Sequence, residues 1–147
     1  MRAPTQERGN EAWVMVLIEY PESYAIVRLS PEDEVPVWAT HGRLTSITRT
    51  PEELSVICPE HSVPSIQCAE RGWYLFGCKG PFSFDTVGVL SELTTILSDA
   101  NIPTLAVATY DTDYILMRNQ AAARRAFQKA GHEIIFVNSS QGDCTEK

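Results

Sequence analysis

The chain has 147 residues, 44% of them hydrophobic, which is enough for one compact domain or two small fused units with a real core. A formal net charge of −7 excludes a surface built to neutralise phosphates, so neither nucleic acid nor an anionic membrane surface is an expected partner.

Residues 1–12 are polar, have no apolar core of signal-peptide type and read as a flexible arm. The longest apolar run, Trp13 to Ile18, is far too short to cross a bilayer. Trp13 to Tyr20 reads as a strand, broken by Pro21-Glu22-Ser23, and Tyr24 to Leu29 as a second. Val35 to Thr40 is a short edge-strand candidate because it carries Pro36, and Leu44 to Arg49 alternates as a weaker strand. Thr50-Pro51-Glu52-Glu53 has the marks of a helix start, yet Leu54 to Cys58 is β-like, so one helical turn should feed directly into a strand. Residues 60–70 read as a linker.

The C-terminal half has a clearer rhythm. Trp73 to Lys79 is a strand, and Gly80-Pro81 turns. Ser83 or Asp85 can cap a helix whose apolar positions, from Val87 to Leu97, recur at helical spacing; Asn101 and Pro103 end it. Leu105 to Ala108 and Tyr114 to Met117 are strands joined by the polar segment Thr109 to Asp113. Asn119 caps a second helix, Gln120 to Ala130, which Gly131 terminates, and Glu133 to Val137 is the last strand. Residues 139–147 form a polar tail. The order β-α-β-β-α-β is that of a ferredoxin-like α+β unit, two helices on one face of an antiparallel sheet. Its other face must be covered by the N-terminal half or by a second chain.

The cysteines Cys58, Cys68, Cys78 and Cys144 include no C-x-x-C pair, which argues against a zinc site and for thiols in a reducing cytoplasm. Asp111 and Asp113 either shape the turn through their own backbone or face a ligand's ammonium or guanidinium group. A cation held by the pair is a third reading, weakened by the lack of nearby ligands. Gly88 either permits tight helix packing or lets a ligand approach a helix start, where unpaired N–H groups favour a carboxylate. Together these segments suggest a site for an α-amino acid. Arg49 is a candidate anion contact or the partner of a nearby Glu. His132 reads as a partner of a helix C-terminus, and Arg124-Arg125 as a solvated face. No nucleophile elbow, P-loop or Gly-x-Gly-x-x-Gly occurs.

Four stretches resemble the small CASTOR-type ACT-domain proteins: residues 46–56 (SITRTPEELSV), residues 84–90 (FDTVGVL), residues 108–116 (ATYDTDYIL), and Tyr24 to Leu29 followed by Pro36-Val37-Trp38. The resemblance implies two ACT-like units, a degenerate strand-rich one over 13–66 and a ferredoxin-like ACT domain over 67–138. It implies a non-catalytic binder of a free amino acid, with no cofactor, whose ligand sits at an interface between ACT units and whose four-unit arrangement a homodimer would rebuild. By that resemblance Asp113 meets the ligand's cationic group and Thr109, Tyr110 and Asp111 line the pocket. Val87 and Gly88 add backbone contacts, and Arg49 is a further contact. A protein–protein adaptor with a vestigial pocket is the alternative.

Overall fold

A single strand threads both halves of the protein. The computed structural model describes residues 14–80 and 87–138. Its elements are β1 (Val16–Leu29), β2 (Ser46–Arg49), β3 (Leu54–Pro59), β4 (Glu70–Cys78), α1 (Val89–Asp99), β5 (Leu105–Ala108), β6 (Asp113–Met117), α2 (Gln120–Lys129) and β7 (Glu133–Phe136). The sheet runs β2-β3-β1-β4-β6-β5, with β7 parallel to the first part of β1. The second part of β1 pairs with β3, from Tyr24 opposite Pro59 to Leu29 opposite Leu54.

The expected break at Pro21-Glu22-Ser23 is therefore not a break. β1 continues through it, and its register against β4 shifts between Glu19 and Ser23. Proline has no N–H to give a ladder, and it is tolerated in a strand where pairing is already interrupted by a bulge. The β-α-β-β-α-β order does run from β4 to β7, but those strands do not close on one another as a ferredoxin-like sheet would. There β7 would lie beside β4; here β1 lies between them, with Leu17 facing Cys78 on one side and Ile134 on the other. An apolar strand buried at a sheet centre satisfies both of its hydrogen-bonding edges, and the β1 run Val16–Ile18 does so here.

Three more expectations change. Residues 37–39 form a 3-10 turn rather than a strand, and buried Ala39 helps to cover Ala25, Val27, Leu54 and Val56. No helical turn forms at Thr50. Its hydroxyl accepts from the N–H groups of Glu52 and Glu53 (3.2 Å each), as in a helix cap, but its own N–H donates to the Glu53 carbonyl (2.9 Å) and closes a β2–β3 hairpin. The β-branched run that follows leaves the turn no helix to enter. Helix α1 starts at Val89 with Gly88 at its N-cap; Ser83 and Asp85 lie outside the described residues, as do both tails.

Both helices cover one face of the sheet. Leu93 and Leu97 of α1 and Ala123 and Phe127 of α2 are buried against Leu17, Phe76, Ile115 and Met117. The rings of Phe76 and Phe127 meet edge to face at 5.4 Å. Because side chains alternate across a strand, Trp73, Leu75 and Leu116 point to the opposite face, where they join Tyr24 and Leu44. Half-buried Tyr20, Tyr114, Leu105 and Val107 extend that second apolar layer. Asn119 caps α2 as its sequence predicts, its side chain accepting from the Ala122 N–H at 3.1 Å.

Two buried polar groups tie β1 to the helices. Glu19, 4% exposed, receives two guanidinium bonds from Arg124 of α2, Nε to Oε1 at 2.8 Å and Nη2 to Oε2 at 2.6 Å. Arg124 is thus a clamp rather than part of a solvated face; only Arg125 beside it is exposed. The imidazole of His132 is equally enclosed. Its Nδ1 accepts from the Met15 N–H at 3.0 Å, so Nε2 carries the proton and donates to Glu92 of α1 at 3.1 Å. Only the His132 backbone N–H serves the end of α2, donating to the Phe127 carbonyl.

Candidate functional site

The residues singled out from the sequence gather, with one exception, at one end of the sheet's C-terminal half. There β4 ends at Cys78, β6 begins at Asp113, β5 ends at Ala108 and α1 begins at Val89. The β5–β6 turn is set by threonines. The Thr109 N–H and hydroxyl both donate to the Thr112 carbonyl, at 2.8 and 2.9 Å, and the Thr109 hydroxyl accepts from the Thr112 N–H at 3.3 Å. The Thr112 hydroxyl then donates to the Cys78 carbonyl at 2.8 Å, anchoring the turn to β4. Thr112 is a positioning residue that its sequence context did not single out; its partner lies 34 positions away, and no local pattern records that.

This frame presents its members differently. Tyr110 and Asp111 stand exposed at the tip, Tyr110 being 80% exposed. Asp113 is half-buried, and burial raises its carboxyl above the usual carboxylate range. Neighbouring Cys78 is buried, and its thiol is pushed up to about 12, first by burial and then by the Asp113 charge, so it stays a neutral thiol. Asp111 and Asp113 are not a matched pair: one sits in the turn and the other in the strand. Among the described residues no group of three or more His, Cys, Asp or Glu side chains could hold a metal ion.

Gly88 has φ 91°, the left-handed region that glycine adopts without strain, and it offers no side chain to cap α1. Its carbonyl accepts from the Glu92 N–H at 2.9 Å, while the first-turn N–H groups keep their affinity for an anion. Val87 beside it is 75% exposed. A partly desolvated carboxylate and a helix start whose N-cap residue has no side chain, at the same end, can take the two ends of a zwitterion. The exception is Arg49. It lies on edge strand β2, separated from β6 by β3, β1 and β4, and donates to the Pro31 carbonyl.

Comparison with known proteins fits this architecture. A family model described as an ACT domain matches residues 69–124, and a model of an N-terminal domain matches residues 22–66. No curated protein matches the chain. A crystal structure of an Agrobacterium tumefaciens protein is similar at 33% identity and TM-score 0.80, over 86% of this chain and 96% of that one. A Vibrio cholerae protein of unknown function, titled a possible transport protein, has 17% identity and TM-score 0.60, over 80% and 88% of the two chains. The ligand-free regulatory subunit of aspartate kinase from Thermus thermophilus has 9% identity and TM-score 0.52, over 75% and 93%. At such identities the last two show a shared fold.

Proposed function

We propose that this chain, whose residues 69–124 match a model described as an ACT domain, is a non-catalytic binder of a free amino acid. The observation that carries the reading is the half-buried Asp113 held at the same end of the sheet as the Gly88 start of α1. Asp113 receives the ligand's cationic group, and the α1 N–H groups receive its carboxylate. Thr109, Tyr110, Asp111 and Val87 form the rim. Arg49 lies on the distant edge strand β2 of the same chain, so this reading does not use it.

The reading extends to a homodimer of chains in which each contributes a degenerate ACT-like unit over 13–66 and an ACT domain over 67–138, with the ligand at an interface between units. The half-buried face of Tyr20, Leu105, Val107 and Tyr114 supports such an assembly, since packing against a second copy would bury it. Ligand binding then stabilises one arrangement of the units by its differential affinity for it. That the solved structures of like fold include a regulatory subunit supports this mode of action. The unpaired thiols Cys58, Cys68 and Cys78 suit a reducing cytoplasm. Among the described residues, no helix is long and apolar enough to cross a membrane.

The test is a thermal-shift screen against the twenty amino acids, followed by calorimetry on the hit with wild type and Asp113→Asn. A ligand at a hundred times its dissociation constant stabilises by about 2.7 kcal/mol. Loss of one charge-assisted hydrogen bond in Asp113→Asn should weaken binding about ten- to hundredfold. No shift with any amino acid would overturn the reading and favour an adaptor, and unchanged affinity in Asp113→Asn would remove the site assignment.

A further inference from the structure

The opposite end of the sheet holds a cavity of about 340 Å³. It lies where α1 ends, β6 ends and α2 begins, far along the strands from Asp113. Its walls mix two chemistries. Ile102, Pro103 and the ring of Trp73 are apolar, while Asn101, Asn119 and Arg118 bring amides and a cation. The Arg118 guanidinium lies over the Trp73 ring at 4.6 Å. It also pairs with Glu70 at 2.6 Å and donates Nε to the Arg71 carbonyl at 3.4 Å. That ion pair is exposed on both sides, so it is weak and open to competition.

The Asn119 side chain is engaged at the start of α2, so the helix start is already capped from within the chain. The Arg118 guanidinium, the one cation among the lining residues, therefore sets the chemistry of an occupant.

We propose that this cavity is a second small-molecule site, for a monocarboxylate with a compact apolar or aromatic body. The volume lies in the lower part of the range of ligand pockets. A planar guanidinium takes a carboxylate through two parallel hydrogen bonds. The apolar body packs on Trp73, Ile102 and Pro103. A polyanion fits worse: Arg118 is the single cation in the wall, Glu70 stands beside it, and the chain carries a net charge of −7.

The test is titration of the full chain with phenylacetate and with its neutral amide, phenylacetamide, followed by ¹H–¹⁵N NMR. The expected result is saturable binding of phenylacetate, with shifts at the Trp73 indole N–H and the Asn101 and Asn119 amides. Phenylacetamide and the Arg118→Gln variant should bind about tenfold more weakly or worse. Ala100→Leu, which narrows the cavity from an exposed position in its wall and leaves every polar group in place, should block binding if Arg118→Gln fails to fold. Asp113→Asn should leave the phenylacetate titration unchanged. Equal response to acid and amide, shifts confined to the Asp113 end, or no saturable response would each overturn the proposal.

Discussion

Replacing Arg124 by alanine tests the account of how β1 is fixed to the helices. The Glu19 carboxylate is 4% exposed and its two oxygens are held by one guanidinium at 2.8 and 2.6 Å. Breaking a buried pair by removing one partner costs about 3–5 kcal/mol, because a charge is left without compensation. The Arg124 side chain is 31% exposed, so its removal opens a path for water to Glu19 and places the loss near the bottom of that range, about 3 kcal/mol. The cation–π contact of Arg124 with the Phe136 ring at 5.4 Å is lost too, worth about 0.5–1 kcal/mol at a site this open. In urea unfolding followed by tryptophan fluorescence, with m about 1–3 kcal/mol/M, the midpoint should fall by about 1–3 M. The double replacement Glu19→Leu with Arg124→Met should recover most of that loss, since well-packed apolar residues commonly substitute for a buried pair without cost. A loss under about 0.5 kcal/mol for Arg124→Ala, typical of surface positions, or strictly additive single and double variants, would refute the clamp.

Asp113→Asn has a pH signature. Because burial raises its folded-state pKa, the charged form disfavours folding, so stability gained from this group grows as pH falls through that pKa and levels off below the unfolded value of ~3.9. The asparagine variant should be as stable as wild type or more so at pH 7, with the difference vanishing in acid; a loss of stability at pH 7 would contradict this. Leu93→Ala, fully buried between α1 and the sheet, should cost about 2–5 kcal/mol in the same unfolding assay. Gly77→Ala would place a Cβ 3.0 and 3.2 Å from the Tyr114 ring and 3.3 Å from Tyr20, and should destabilise by about 1–3 kcal/mol. A neutral result there would mean that both rings move aside freely.

What could be read from the sequence was what is decided locally. Asn119 and Gly131 bracket α2 because a cap and a left-handed stop act within one turn of the helix. The β5–β6 hairpin was legible from two apolar runs and a polar connection, and with it the placing of Asp113 at a strand end. The misread features all depend on distant partners. Pro21 looks like a strand breaker until its position at the bulge against β4 is known. Arg124 looks solvated until Glu19, 105 positions earlier, is found beneath it. Insertion of β1 between β4 and β7 leaves no periodic mark, because an apolar strand run reads the same at a sheet's centre as beside a helix layer. Arg49 lies within the resembling stretch 46–56, yet strand order alone separates it from Asp113.

The position of β1 also governs how the protein must be made. Met15 bonds His132 across 117 positions, and the next four residues pair with β7. During synthesis β1 therefore waits, one edge open, until nearly all the described chain has left the ribosome. Folding should be slow for a domain of this size, as contacts between distant residues must bear a large loop-closure cost. Throughout that interval Val16–Ile18 is an apolar segment with unpaired backbone, the kind that recruits a strand from another molecule. A nick or truncation that removes β7 would reopen the same edge in the finished protein and turn the middle of its sheet into a template for aggregation.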